Sequence, residues 1–455
     1  MFKAIWSTLR VDPANAAFLE SSSGLARAYW AFHHASGKPA NWRFRWFFAR
    51  IVAFVRQIIR VGRFSGTTPD CDSAAVLFVS GTKNNELALQ NVEAALKSKD
   101  VRVQHWKLPD LQSFYPRAYL LAAAFLPALL FRWLTARGYV RKSYRWAGDI
   151  FWFVYGYHLA IYLELNRHRP RALVVANDHS YWARTIVLAA KRLGIPTFYV
   201  QHASVTEHFP PLIFDYSLLE GCDAAQKYAQ AGPMEGRAFL IGMPKSDRYA
   251  GLVRDSGPIE CLGLCLNSHD KMRRVEALVA AVRQAVPEVS VCIRPHPAAS
   301  EKVWDEWRQL ADRWVLDISN GRVEGPFDFL GRVDAVAAGD SSIHLEAALL
   351  NVTPIFYDFA GDGGADWYGY CRNNLCECFV EPAEFVDYLQ AIRQSRPSIA
   401  LQARRYCVTI GTEFHGCSGE LGGAIIEQVV SGQEVDLSTW NETQYENGPM
   451  VYEPK

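Results

Sequence analysis

Several polar groups in this chain combine residue types that handle phosphates or protons, and each stands directly after a short apolar run. Arg294-Pro295-His296-Pro297 closes the run 289–293, and Gly339-Asp340-Ser341-Ser342 closes the run 333–338. An imidazole and a guanidinium can both donate to a phosphate, and serine hydroxyls add further donors. Residues 343–350 carry a helical pattern, so Ser341 and Ser342 would stand where a helix N-terminus presents backbone N–H groups to an anion. Glu346 lies one turn into that helix, and Asn267 marks a third run end in Asn267-Ser268-His269-Asp270. In the first half of the chain, Asp178 follows the run 173–176, His202 follows 197–200 and Glu220 follows 216–219. These three are candidate acid–base groups, in competition with one another. Each residue also has an ordinary reading. Arg-Pro-His-Pro makes a rigid turn, Asp340 and Asp178 make N-caps or Asx turns, a helix-surface Glu needs no ligand, and a histidine after a strand is often only a hydrogen-bonded loop residue. Two polar loops ending neighbouring runs of one domain favour the phosphate reading.

The elements that must position these groups are legible from the same runs. Short, partly β-branched apolar segments stopped by turn formers read as buried parallel strands, and open α/β sheets bind ligands at the carboxyl ends of such strands. An opening βαβ unit is expected from a strand at 74–79, a helix to about 96 and a strand at 101–106, followed by strands and helices that alternate from residue 172 onward. Residues 248–258, interrupted by Gly251, Gly257 and Pro258, read as a linker between two α/β halves. The expected organisation is a segment at 1–66, a first domain at 67–247, a second at 248–435 and a loosely held polar tail at 436–455. Neither GxGxxG nor GxxxxGK[ST] occurs at the first strand, which removes the dinucleotide and P-loop fingerprints. The charge-free stretches 118–131 and 150–163 fall short of the about 20 residues needed to span a bilayer, so they are expected as buried or membrane-facing helices.

The chain has 455 residues, half of them hydrophobic, and a formal charge of +1, which gives large cores and no global field for nucleic acid. Its ten cysteines lack paired CxxC spacing and its opening residues do not resemble a signal peptide, which together fit a reducing cytoplasm. Cys371, Cys376 and Cys378 read as loop and core thiols rather than as a zinc site. From residue 21 to 69 there is no acid, while Arg27, Lys38, Arg43, Arg45, Arg50, Arg56, Arg60 and Arg63 are basic. Wound as a helix, Phe44, Phe47, Phe48, Ile51, Phe54, Val55, Ile58 and Ile59 share one face, the pattern of an amphipathic helix lying on an anionic membrane or packed on its own domain.

His296-Pro297, followed downstream by Ser341-Ser342 and Glu346, resembles the HP and SS motifs of bacterial GT-B glycosyltransferases with cytidine-nucleotide donors. That group includes capsule Kdo transferases, polysialyltransferases and CDP-glycerol glycerophosphotransferases. Gly194-Ile195-Pro196, Gln201-His202-Ala203 and Gly242-Met243-Pro244-Lys245-Ser246-Asp247 add to the resemblance, with Ala203 and Lys245 departing from its glycine and arginine. The resemblance implies an α/β GT-B fold of two facing Rossmann-like domains, to which the residue pattern adds an N-terminal amphipathic helical segment. It implies a first domain for the acceptor and a second for the nucleotide sugar. In that reading Arg294, His296, Asn267, Ser341, Ser342 and Glu346 bind the nucleotide. His296 also assists the departing phosphate, and Asp178, Glu220 or His202 does the acceptor chemistry, Asp178 either as general base on an acceptor hydroxyl or, if configuration is retained, as nucleophile through a covalent glycosyl adduct. With no donor-site DxD, the expected chemistry is metal-independent and needs no cofactor. The expected activity moves Kdo or another ulosonic acid from a CMP-sugar to a lipid-linked or polysaccharide acceptor in capsule or lipopolysaccharide synthesis, at the cytoplasmic side of the inner membrane. Rival readings are a CDP-glycerol-type transferase, a nucleotide-sugar 2-epimerase, and a noncatalytic envelope-assembly protein that binds nucleotide or glycan.

Overall fold

Apolar runs of four to six residues, each stopped by a polar or glycine turn, become parallel strands in two separate sheets. The computed structural model describes residues 1–17, 47–61, 69, 71–206, 209–267, 270–364, 366–445 and 450–455. It divides into unit 1, Met1–Lys245 with Ser418–Lys455, and unit 2, Ser246–Cys417.

Unit 1 opens with the helices α1 (Phe2–Leu9), α2 (Pro13–Ala16) and α3 (Phe47–Val61). The expected βαβ unit follows as β1 (Val76–Val79), α4 (Lys83–Lys97) and β2 (Val103–Trp106), with Val76 opposite Val103 in parallel register. α5 (Leu108–Ser113), α6 (Tyr115–Ala122), a 3-10 turn at Ala123–Phe125 and α7 (Leu126–Thr135) lead into the long α8 (Gly138–His168). β3 (Ala172–Val175), α9 (Tyr181–Arg192), β4 (Thr197–Val200), β5 (Tyr216–Leu219), α10 (Cys222–Ala231) and β6 (Arg237–Leu240) complete this part. The charge-free stretch 150–163 is the middle of α8, buried on every side, which is why it carries no polar face. Gly156 is required there, because a Cβ would collide with the Ala118 carbonyl oxygen where α6 crosses. Trp152 Nε1 fastens the same crossing by donating to the Ala122 carbonyl at 2.6 Å.

Unit 2 alternates strand and helix. Its elements are β7 (Cys261–Leu266), α11 (Met272–Ala285), β8 (Ser290–Pro295), α12 (Glu301–Trp314), β9 (Asp317–Ile318), α13 (Pro326–Leu330), β10 (Ala335–Ala338), α14 (Ile343–Leu349), β11 (Thr353–Tyr357), β12 (Glu377–Phe379) and α15 (Pro382–Ile392). The sheet order is β12-β11-β10-β7-β8-β9, every neighbour parallel, which is the Rossmann order. Leu262, Leu264, Val291, Ile293, Ala335, Ala337 and Ile355 form its central hydrophobic layer against α11, α12 and α15.

The chain then returns to unit 1. α16 (Ser418–Val430) lies on α4 so closely that a Cβ on Gly419 would strike the backbone of Asn91. β13 (Trp440–Gln444) pairs antiparallel with β14 (Met450–Pro454), which runs parallel to β6, giving the order β13-β14-β6-β5-β4-β3-β1-β2. This corrects the expected second domain at 248–435 and the expected loose tail at 436–455. Trp440 and Tyr452 pack on Phe239 with ring centroids 5.2 and 4.8 Å away, anchoring an edge hairpin whose outward residues are polar. That one-sided polarity is what makes the segment look structureless in sequence.

One further expectation changes and another is narrowed. Cys371 and Cys378 form a disulfide rather than standing as separate thiols, while Cys376 remains a buried thiol. The amphipathic helix is present as α3, and of the two surfaces expected for it Phe54 meets its own unit, stacked on Trp152 at 4.0 Å and edge-on to Tyr119 at 4.9 Å. Arg56, Val52, Val55 and Ile59 face outward. Arg27, Lys38, Arg43, Phe44, Arg45 and Arg63 lie outside the described residues.

Candidate functional site

In an open parallel sheet, a crevice opens at the carboxyl ends of the two strands between which the chain order reverses. In unit 1 those strands are β1 and β3. β3 delivers Asn177, Asp178 and His179 to this point. The Asn177 Oδ1 accepts from the backbone N–H groups of His179 and Ser180 at 3.3 and 2.8 Å, an Asx turn that directs Asp178 inward.

Asp178 is fully buried with both oxygens engaged: the Tyr228 hydroxyl donates at 2.7 Å and His179 Nδ1 lies at 2.9 Å. Burial alone would raise its pKa, but the His179 and Tyr228 hydrogen bonds and the nearby His202 hold it below the ordinary carboxylate range. A carboxylate on Nδ1 fixes the tautomer with the proton there and the lone pair on Nε2. The His179 side chain is 30% exposed, so this pair joins a buried anion to an imidazole that reaches solvent. Asp178 is thereby a positioning residue, and His179 is the group able to take a proton. Sequence reasoning passed over His179, although an acid followed by a histidine after a strand was visible.

His202 lies with its ring 6.1 Å from that of His179 and tilted by 27°. Burial drives its pKa to about 4 against the opposing charge of Asp178, so it is neutral at neutral pH. Its Nδ1 is buried without a hydrogen-bond partner among the described residues. Glu220 is buried beneath, bracketed by Gln201, whose Nε2 donates to the carboxylate at 3.1 Å and whose Oε1 accepts from the Glu220 N–H at 2.9 Å. The structure thus brings Asp178, His179 and His202 together at one strand-end cluster and gives Glu220 a role inside the framework that carries it.

In unit 2 the order reverses between β7 and β10. Asn267 and Asp270 follow β7, and Gly339 to Ser342 follow β10. The two loops adjoin, since a Cβ on Gly339 would lie 3.8 Å from Asp270 Oδ1 and 3.9 Å from Asn267 Nδ2. The Ser341 Oγ accepts from the Ile343 N–H at a long 3.4 Å, and Ser342 makes no side-chain cap. α14 is only 7 residues long, so hydroxyls rather than a macrodipole are what this loop offers an anion. Glu346 is buried on α14, not on a solvated helix surface.

Carboxylates crowd the same strand ends. Burial pushes Asp270 up to about 7 despite the Asn267 N–H it accepts, with Asp358, Asp340 and Asp362 adding repulsion. Asp340 is pushed up to about 6 by burial, against the Trp367 N–H at 2.7 Å, with Asp366, Asp362 and Asp358 adding repulsion. Ser268 and His269 lie outside the described residues.

His296 and Arg294 stand one strand away, at the end of β8. The His296 Nδ1 accepts from the Ala298 N–H at 3.1 Å, which leaves the proton on Nε2 as a donor. Partial burial lowers its pKa. Its loop is clamped by Arg322, which donates to the Pro297 and Ala299 carbonyls at 3.1 and 2.7 Å. Arg294 does not fit the expected nucleotide contact. Its buried guanidinium donates to Ser319 at 2.6 Å and to the Glu324 carbonyl at 2.8 Å, and it lies over Phe329. It ties β8 to the following turn, where it shares Glu324 with Arg332, which donates to the same carboxylate at 2.8 and 3.1 Å. Among the described residues, no three His, Cys, Asp or Glu side chains are grouped to hold a metal ion.

No protein-family model matches the chain, and a search of curated protein sequences finds no match. Solved structures that resemble it include S. aureus MnaA with UDP, 12% identical over 79% of this chain and 96% of that one, with a TM-score of 0.48. The wall teichoic acid polymerase TagF with CDPG is 10% identical over 85% and 98%, at 0.47. A putative UDP-N-acetylglucosamine 2-epimerase from Listeria monocytogenes is 11% identical over 79% and 98%, at 0.49. Likenesses this distant assign neither a substrate nor a reaction, which have to come from the strand-end chemistry itself.

Proposed function

We propose that the chain is a glycosyltransferase that moves a sugar from a nucleotide-activated donor to a hydroxyl acceptor. The carrying observation is the Asp178–His179 pair at the switch point of unit 1, a buried carboxylate fixing an imidazole that reaches solvent. In this reading His179 Nε2 takes the acceptor proton as the acceptor oxygen bonds to the anomeric carbon. The bond to the donor phosphate breaks and its electrons leave on the nucleotide. A displacement of this kind inverts the anomeric configuration. Unit 2 holds the nucleotide at the β7/β10 strand ends, with Asn267, Ser341, Ser342 and buried Glu346 as contacts and His296 Nε2–H donating to the developing phosphate charge. The Arg-Pro-His-Pro and Ser-Ser resemblance narrows the donor to a cytidine nucleotide, with CMP-Kdo or another CMP-ulosonic acid first, and the acceptor to a lipid-linked or polysaccharide glycan of the bacterial surface.

The test is incubation with CMP-Kdo, CMP-sialic acid, CDP-glycerol and UDP-N-acetylglucosamine separately, each with and without a lipid-linked glycan acceptor. Release of CMP that needs acceptor, yields an inverted linkage and is lost in His179→Ala supports the proposal. An epimerised sugar formed without acceptor makes the chain an isomerase. Glycerol phosphate transfer from CDP-glycerol moves it to the other transferase class. Nucleotide binding with no turnover of any donor leaves a noncatalytic binding protein.

A further inference from the structure

We infer that the outer face of α6 and α7, together with α1, is a docking surface for an anionic lipid bilayer. This rests on unit 1 alone and not on the glycosyltransferase reading. On the inner side of α6 and α7, Ala118, Ala122, Phe125 and Leu129 are buried. On the outer side, Leu120, Phe131 and Leu134 are 67%, 68% and 63% exposed, with Ala123, Ala124 and Pro127 exposed between them. Those positions recur at helical spacing, so the exposed apolar residues form one stripe rather than scattered points. α1 repeats the pattern, since Phe2, Ile5, Trp6 and Leu9 are exposed while Ala4, Ser7 and Thr8 are buried. α7 reaches the junction of α1 and α2, where Arg132 lies 3.8 Å from Asp12.

Charge names the partner. Between Asp110 and Asp149 the chain has no acidic residue, yet it carries Arg117, Arg132, Arg137, Arg141, Lys142 and Arg145. α1 and its flank carry Lys3 and Arg10 and no acid before Asp12. Arg117 and Arg132 are ion-paired with Glu164 and Asp12, so in a chain whose formal charge is only +1 the local cationic excess beside the exposed apolar side chains rests on the exposed Lys3, Arg10, Arg137 and Arg141. That combination matches acyl chains below anionic headgroups, whereas a protein partner would have to supply both an apolar groove and a ring of acids. The stretch Leu108–Thr135 is long and apolar enough to cross a membrane, but its inner side is packed on α8 and its course is broken at Ala123–Phe125. It therefore lies along the surface instead of spanning.

The experiment is cosedimentation of the full chain with vesicles of phosphatidylglycerol and phosphatidylethanolamine, against vesicles of phosphatidylcholine alone. Anionic vesicles are expected to bind at least tenfold more tightly. Leu120→Asp with Phe131→Asp is expected to weaken binding tenfold or more, and Arg137→Glu with Arg141→Glu several-fold, with unchanged thermal unfolding because all four side chains lie at the surface. Equal binding to neutral vesicles, or unaltered binding by the Leu120→Asp/Phe131→Asp chain, overturns the inference. So does self-association abolished by those substitutions in a chain that never binds vesicles. Should both variants unfold, Phe2→Ser with Trp6→Ser tests the α1 part of the surface, and undiminished binding there overturns it equally.

Discussion

The two switch points place acids at the same topological position and treat them in opposite ways. In unit 1, Asp178 is fully buried yet held below the ordinary carboxylate range, because Tyr228 and His179 compensate the burial that would raise it. In unit 2, Asp270 and Asp340 are less deeply buried yet burial pushes them up to about 7 and about 6, because only one backbone N–H opposes it at each and other acids add to it. Whether a buried carboxylate stays charged is decided by how far donors and neighbouring charges offset its burial, not by depth alone. A charged Asp178 can hold a histidine ready to receive a proton. Carboxyls that protonate near neutrality can share a strand end with a phosphate that fully ionised ones would repel.

The largest expected effect breaks the first half of this contrast. Asp178→Asn removes the charge and permits the wrong His179 tautomer, so kcat for transfer is expected to fall on the order of 10^3-fold with donor KM little changed. His179→Ala should fall comparably, and the double variant no further than either single one. Independent, additive losses would show that the two residues do not act as a unit. Tyr228→Phe is expected to be milder, roughly tenfold in kcat, with the acid limb of the pH–rate profile moved upward as Asp178 loses a donor.

The second half is sharpened by pH. As pH falls from 8 through 7 and then 6, Asp270 and Asp340 take up protons in turn. Nucleotide affinity, read by calorimetry, is then expected to rise by roughly tenfold, the equivalent of about one pKa unit of repulsion relieved. Asp270→Asn and Asp340→Asn should each raise affinity at pH 8 and flatten the profile. Stability should move with opposite signs in the two units. For Asp270 and Asp340, whose folded values are raised, stability is lost as pH rises from the unfolded value of 3.8 through about 6 and 7. For Asp178, whose value is lowered, the contribution is present above 3.8 and is lost as pH falls through the folded value. An affinity that rises with pH instead would remove the phosphate from this strand end.

How much of this was legible in the sequence follows from what each signal depends on. Buried parallel strands announce themselves as apolar runs with polar stops, so β3, β4, β7, β8 and β10 and the polar residues after them were all in view. The switch points were not, because strand order depends on which helix crosses which face, and that is settled only by packing. Arg294 read as a phosphate ligand, since its chain neighbours are Pro295 and His296; Ser319 and Glu324, which occupy it, lie 25 and 30 residues further on. The return of residues 418–455 to unit 1 was hidden for the same reason. Nothing within Gly419 or Gly423 reveals that the spacing of small residues fits α4. His179 is a different case, a local pattern present in the residues themselves and outweighed by the acid beside it.

The smallest expected effect addresses the loop where capping and binding are hardest to tell apart. The Ser341 Oγ accepts from the Ile343 N–H at 3.4 Å, a poor hydrogen bond for a cap whose full value would be about 1 kcal/mol. If capping is its whole role, Ser341→Ala should cost roughly 0.5 kcal/mol of unfolding free energy and leave nucleotide affinity untouched. If the hydroxyl serves a phosphate, the stability loss should be equally slight, but affinity should fall several-fold, as expected for a lost hydrogen bond to a charged group. Ser341→Thr separates these outcomes further, because it keeps the hydroxyl and adds a methyl at the strand end. A binding role predicts retained hydrogen bonding with a steric loss that depends on the donor, whereas a capping role predicts wild-type affinity for every nucleotide tested. The same pair of substitutions at Ser342, whose side chain makes no cap hydrogen bond, provides the internal control: an affinity change there cannot arise from a lost side-chain cap.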